Sequence, residues 1–100
     1  IMVSVRIEWD LAKDEQNVAK HGISFAEASE LFTSNVDYLE FFDAAHSDDE
    51  ERFIAIGPVK RGLVLVVWTE RGEDALRIVS ARWATRVEQT LFRKHMEASS

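Results

Sequence analysis

The chain has no cysteine, so neither a disulfide framework nor thiolate chemistry is open to it. It has a single proline and four glycines, and it contains neither internal repeats nor a low-complexity segment. No apolar run approaches the roughly 20 residues that span a bilayer. The stretch 1–7 is too short for a signal peptide and is interrupted by Arg6. A cytoplasmic protein with no membrane contact is therefore expected. The three histidines, His21, His46 and His95, are far apart, and none sits at ligand spacing from another. His46 with Asp43, Asp48 and Asp49 lacks the spaced ligands and the glycine of a calcium loop, so this stretch reads as a solvated acidic loop. Walker A, dinucleotide-binding and serine nucleophile-elbow patterns are all missing. No metal and no cofactor are expected.

What is present is an apolar core and an uneven charge. With 46% hydrophobic residues, 100 residues can build one modest core, so 1–100 reads as a single domain. The net charge of −6 argues against a nucleic-acid binder, but residues 1–50 carry 3 Lys and Arg against 12 Asp and Glu, and residues 51–100 carry 9 against 6. Such a split predicts either a basic face on an acidic body or pairing between the two halves.

The most apolar run, 63–68, reads as a strand buried on both faces. It turns at Arg71-Gly72 and returns as a second strand, 75–81, before a final helix over 86–97 opened by the capping box Thr85-Arg86-Val87-Glu88. Upstream, 3–9 alternates as a half-buried strand. Asp10 caps a helix over 11–21 that ends at Gly22, and Ser24-Phe25-Ala26-Glu27 opens a second helix. Strands follow at 36–42 and 52–57, separated by the acidic loop 43–51, and 58–62 reads as a turn. The order β-α-α-β-β-β-β-α, with four successive strands, predicts an α+β fold. Its twisted sheet should be mainly antiparallel, with helices mainly on one side.

The candidate chemistry is cationic. Arg71, Arg77, Arg82 and Arg86 all lie in the core hairpin and the start of the last helix. Alternation along the strand predicts Ile78, Ser80 and Arg82 on one face and Arg77, Val79 and Ala81 on the other. Arginines on rigid elements can hold phosphates through their guanidinium fork, with Lys20 as a point charge. The competing reading is that they pair with Glu8, Glu70 or Glu88. Lys20-His21 at a helix end also complements the helix dipole, and Lys13, Asn17 and Lys20 form one polar helix edge. Of the three tryptophans, Trp83 is the one expected to be exposed. In the last helix Val87, Leu91, Phe92 and His95 form an apolar stripe in excess of what a small core needs.

In order along the chain, Trp9-Asp10, Asn17 with Lys20-His21-Gly22, Arg52-Phe53, Thr69-Glu70-Arg71-Gly72, and Ser80-Ala81-Arg82 with Ala84-Thr85-Arg86 resemble the BrnT family. These are toxins of type II toxin–antitoxin systems with a RelE-like ribonuclease fold, and the resemblance covers about residues 7–88. It implies a metal-independent endoribonuclease that inhibits translation. It also implies neutralisation by a BrnA-like ribbon-helix-helix antitoxin, with operator DNA contacted only through that antitoxin. Cleavage would use Arg71, Arg82 and Arg86 on the phosphate and Lys20, His21 or Glu70 on protons. Many relatives continue with basic residues and a tyrosine where this chain has Gln89 and Phe92. That departure motivates the alternative: a weak or inactive RelE-fold module acting as antitoxin partner and co-repressor. Alone, the chain is expected to be marginally soluble or to self-associate.

Overall fold

The computed structural model describes residues 5–46 and 50–99. The expected strand start at Val3 and the loop acids Asp48 and Asp49 lie outside them. The elements are β1 (Arg6–Glu8), α1 (Leu11–His21), α2 (Phe25–Thr33), β2 (Leu39–Phe42), β3 (Phe53–Val59), β4 (Gly62–Arg71), β5 (Ala75–Trp83) and α3 (Arg86–Ser99), with one 3-10 turn at Ala44–His46. The order is the expected β-α-α-β-β-β-β-α. One five-stranded sheet runs β1-β5-β4-β3-β2, so the most apolar strand is central. β1 pairs parallel with β5, and every other pairing is antiparallel. Among the described residues no helix is long and apolar enough to cross a membrane.

Local chemistry sets the helix limits. The Asp10 carboxylate accepts from Lys13 N–H at 3.0 Å, and Gly22 closes α1 in the left-handed region at φ 71°. Ser24 Oγ accepts from Glu27 N–H at 3.0 Å, and Asp14 accepts from Phe25 N–H at 2.8 Å, which fixes the start of α2 against α1. The two helices lie on one face of the sheet. There Ile23, Phe25, Ala28 and Leu31 pack on Ala55, Val64, Val66 and Ile78. Each large side chain so buried stabilises the fold by about 1.5–3 kcal/mol. A run of rings, Tyr38 to Phe32 to Trp68 to Phe53 to Phe42, crosses the same face with centroids 4.9–5.9 Å apart. Gly57 makes the close approach possible: a Cβ there would lie 2.5 Å from Leu31 Cδ1 and 2.7 Å from Tyr38 Cβ. The third helix, α3, lies on the opposite face, anchored by Phe92 against Ile56, Leu65 and Ala84.

Four expectations are corrected. Residues 58–62 are not all turn: β3 continues through Pro58 to Val59 and only Lys60-Arg61 turn. Pairing with β2 stops at Ile56, so the N–H that Pro58 lacks is not missed on that side. Trp83 is half-buried against the core, with the Arg61 guanidinium 5.0 Å above its ring. Arg61 in turn grips Glu27, its Nε donating at 2.6 Å. The apolar stripe of α3 splits: Phe92 is core, whereas Val87 and Leu91 are 71% and 47% exposed. Lastly, β5 carries a bulge. Val67 pairs with Ser80 and Trp68 with Ile78, leaving Val79 as the extra residue. Alternation is broken there, so Ile78 shares the α1/α2 face with Ala81, and Ser80 and Arg82 lie on the opposite face from Ile78.

Candidate functional site

On the α3 face, pairing places side chains in rows across the sheet. One row is Leu39, Ile56, Leu65 and Arg82, and its apolar members lie in the core under α3. The next is Phe41, Ile54, Val67 and Ser80. Beyond it, Asp43 donates its backbone N–H to Arg52 O at 2.8 Å, and Thr69 pairs with Arg77. The middle row is only partly covered: Ile54 and Val67 are half-buried against the core under α3, and Phe41 is exposed. A cleft of about 450 Å³ opens over it, walled by Arg82 and Glu88 on one side and Arg52 and Asp43 on the other. Arg82 of β5 and Arg52, the residue just before β3, thus face one cleft with an apolar floor.

Arg82 is held within it. Its two terminal nitrogens donate to the two Glu88 carboxylate oxygens at 2.7 and 2.8 Å. Glu88 also accepts from Thr85 N–H at 2.8 Å, and Thr85 Oγ1 accepts from Glu88 N–H at 3.2 Å, so the capping box of α3 and the arginine latch share one carboxylate. The Arg82 hydrogen bond is the main reason this carboxyl falls to about 2, with the Thr85 bonds adding to it against partial burial. The pairing of Arg82 with Glu88 expected as the competing reading is thus present.

Across the edge of β5, Lys13, Lys20 and His21 border a smaller groove of about 260 Å³ that reaches Val79 and Ser80. Ser80 therefore adjoins both depressions. Asn17 lines this groove beside Lys13 and Lys20, as the polar edge of α1 predicts, but it is buried, 7% exposed. Its Nδ2 donates to Ala81 O at 2.8 Å and Ile23 O at 2.9 Å, and its Oδ1 accepts from Ala81 N–H at 3.1 Å. Because β1 pairs only with Ala75–Arg77, the outer edge of β5 beyond the bulge needs a partner, and the Asn17 amide supplies one at Ala81.

The other expected residues are not gathered here. Arg71 pairs with Ala75 at the far end of the hairpin, six residues along β4 from Leu65, the partner of Arg82, or about 20 Å. Its guanidinium lies 3.6 Å from Glu50. Glu70 lies with Tyr38 and Trp68 on the α1/α2 side; partial desolvation, and then the Glu70 charge, raise the nearby Glu40 carboxyl. Arg86 stands on the outer side of α3 with Val87, Thr90, Leu91 and Lys94. Gln89 donates to Ala84 O at 3.1 Å, and Phe92 is buried. Arg52 and Phe41 line the cleft although the sequence alone does not single them out as site residues. Arg52 stood in a recognisable Arg-Phe pair, but nothing in the spacing linked it to Arg82, because the link is a strand register. Among the described residues no three His, Asp or Glu side chains are grouped so as to hold a metal ion.

Comparison with known proteins bears on this arrangement. None of the curated proteins compared matches the chain. The solved structure described as the Brucella abortus ribonuclease toxin, BrnT, superposes with a TM-score of 0.62 at 28% identity, covering 83% of this chain and 100% of that one. The family model for the ribonuclease toxin BrnT of type II toxin–antitoxin systems matches residues 9–88, which run from just after β1 to the first turn of α3 and hold the cleft, its arginines and Glu88. The chain belongs to the BrnT family of ribonuclease toxins of type II toxin–antitoxin systems.

Proposed function

We propose that residues 1–100 form one toxin domain that cleaves RNA at the cleft on the α3 face, using protein groups rather than a metal. The observation that carries this reading is the convergence of Arg52 and Arg82 on one apolar-floored cleft, with Lys20 and His21 across Ser80. In the proposed step a base removes the proton of a ribose 2′-OH, and the oxygen attacks the adjacent phosphorus. The P–O5′ bond breaks and the leaving oxygen takes up a proton, giving a 2′,3′-cyclic phosphate and a 5′-OH end. Arg82, exchanging Glu88 for the phosphate, would stabilise the crowded phosphorane. Proximity across Ser80 supports Lys20 or His21 over Glu70 for proton transfer. Arg86, and Arg71 at the far end of the hairpin, would extend the contact along the RNA backbone.

Translation arrest, a cytoplasmic site of action and neutralisation by a ribbon-helix-helix antitoxin belong to the same proposal, with operator DNA reached through that partner. The exposed Val87 and Leu91 between Arg86 and Lys94 support α3 as part of the antitoxin surface. The second reading, a module that binds the antitoxin but does not cut, is favoured by the bidentate hold of Glu88 on Arg82.

Tightly controlled expression of the wild type and of Arg82→Lys, read by growth and by RNA integrity, tests the choice. Lysine keeps the charge and loses the fork, so the cutting reading expects growth arrest and RNA cleavage from the wild type and a loss of both in the variant. Folded wild-type protein that leaves growth and RNA untouched establishes the second reading.

A further inference from the structure

We propose that the row Phe41, Ile54 and Val67 is a seat for one unpaired nucleobase, with Phe41 as its stacking platform; this rests on the ribonuclease reading above. Successive positions of β2 have opposite fates. Phe42 turns to the α1/α2 side and meets the Phe53 ring at 5.7 Å. Phe41 turns to the cleft, is 41% exposed, and among the described residues meets no other ring. The register then continues its row as Ile54 and Val67, and ends at Ser80.

Dimensions favour a base over a protein segment. Same-face rows lie two residues apart, about 7 Å, and three strands span about 10 Å. The half-buried apolar floor, Phe41, Ile54 and Val67 with the edge of Leu65, is therefore little more than one row wide and is closed by Arg82 and Glu88 on one side and Arg52 and Asp43 on the other. A docking helix needs a longer groove with anchors at several turns. A flat ring flanked by its own phosphates needs an apolar or aromatic platform with cations beside it; here each wall carries one arginine, Arg82 or Arg52, together with one carboxylate, Glu88 or Asp43. Phe41 stands three strands away from Ser80, so a base seated on it would extend the chain away from the Arg82 phosphate rather than compete with it. The seat would set which nucleotide lies beside the scissile bond.

The test measures binding of short single-stranded 2′-O-methyl RNA, whose blocked 2′ oxygen prevents cleavage, by fluorescence anisotropy over a range of salt. The variants are Phe41→Ala, Phe41→Trp and Arg82→Ala. Phe41→Ala should weaken binding roughly 5- to 150-fold, the range for loss of one base–aromatic stack. Its salt dependence and melting temperature should match the wild type. Phe41→Trp should restore affinity. Arg82→Ala should lower the salt slope by about one. An abasic oligonucleotide should bind wild type and Phe41→Ala alike. Unchanged affinity of Phe41→Ala for the intact oligonucleotide overturns the seat and leaves the ribonuclease reading standing. Wild-type protein that neither binds nor cleaves RNA overturns both. If Phe41→Ala keeps RNA affinity but loses the antitoxin, the row is a protein interface and the seat is overturned.

Discussion

On the α1/α2 side of the sheet, Phe25, Ala28 and Leu31 are at most 1% exposed and a chain of five rings fills the remaining space; on the α3 side, Phe41 is 41% exposed and one row of the sheet is only partly covered. Both surfaces belong to the same four antiparallel strands and are built from similar residues. They differ in how many helices were available. Two helices, locked together through Asp14 and Arg61, pack on one face; a single helix reaches the other and is anchored through Phe92. Stability is thus concentrated on one face, and the other keeps the cleft that Arg52 and Arg82 wall from opposite sides. A small domain has too little chain to finish both surfaces, and the unfinished one is where ligand chemistry can be placed.

The sharpest way to break this comparison is to put a hole in the closed face. Phe25→Ala removes a fully buried ring that meets Trp9 edge-on at 6.5 Å. It is expected to cost about 3–5 kcal/mol, lowering the melting temperature by roughly 15 °C or more. The same truncation at Phe41 should leave melting almost unmoved. Equal losses from the two would show that the faces share the load.

Asn17 tests the joint between helices and sheet. Asn17→Ala leaves Ala81 N–H, Ala81 O and Ile23 O without this amide, at an expected cost of about 2–3 kcal/mol in chemical denaturation. A loss under 0.5 kcal/mol would mean that water replaces the amide and that the edge of β5 is not closed by α1.

The smallest expected effect is on the open face, at Glu88. Its folded carboxyl sits near 2, below its unfolded value, so its contribution is complete above about pH 4.5 and is lost as pH falls from there towards 2. Glu88→Gln should lower stability at pH 7 by on the order of 1 kcal/mol. That is less than the full shift would give, because the Arg82 side chain is 37% exposed and solvent screens the pair. The variant should also lack the acid-side loss that the wild type shows between pH 4.5 and 2. An unchanged acid limb in the variant would assign that loss to other carboxylates.

Much of this was written locally in the chain. Asp10, Ser24, Gly22 and the Thr85–Glu88 box act within four residues of the helix ends they set, so α1, α2 and α3 began where capping chemistry placed them. The unbroken apolar run of β4 identified the central strand, since only a strand covered on both sides can afford it. The ordered motifs were enough to place the chain near its family. The site was less legible. Arg71, Arg82 and Arg86 are close in sequence, yet Arg71 lies about 20 Å along the sheet from Arg82, whereas Arg52, thirty residues earlier, shares its cleft.

The sequence by itself determined the element order, the helix limits, the central strand and the residue types from which a phosphate site can be built, because caps and hydrophobic periodicity act over a few neighbouring residues. Only the tertiary structure decided which of those residues share a surface. A single extra residue, Val79, inverts the alternation of β5 and so sends Ile78 into the core and Arg82 to the cleft. Strand register then brings Phe41 and Arg52 to the same surface. A bulge is fixed by the pairing of two strands and not by the propensity of either, so the face on which Arg82 would stand could not be read from the alternation of its own strand.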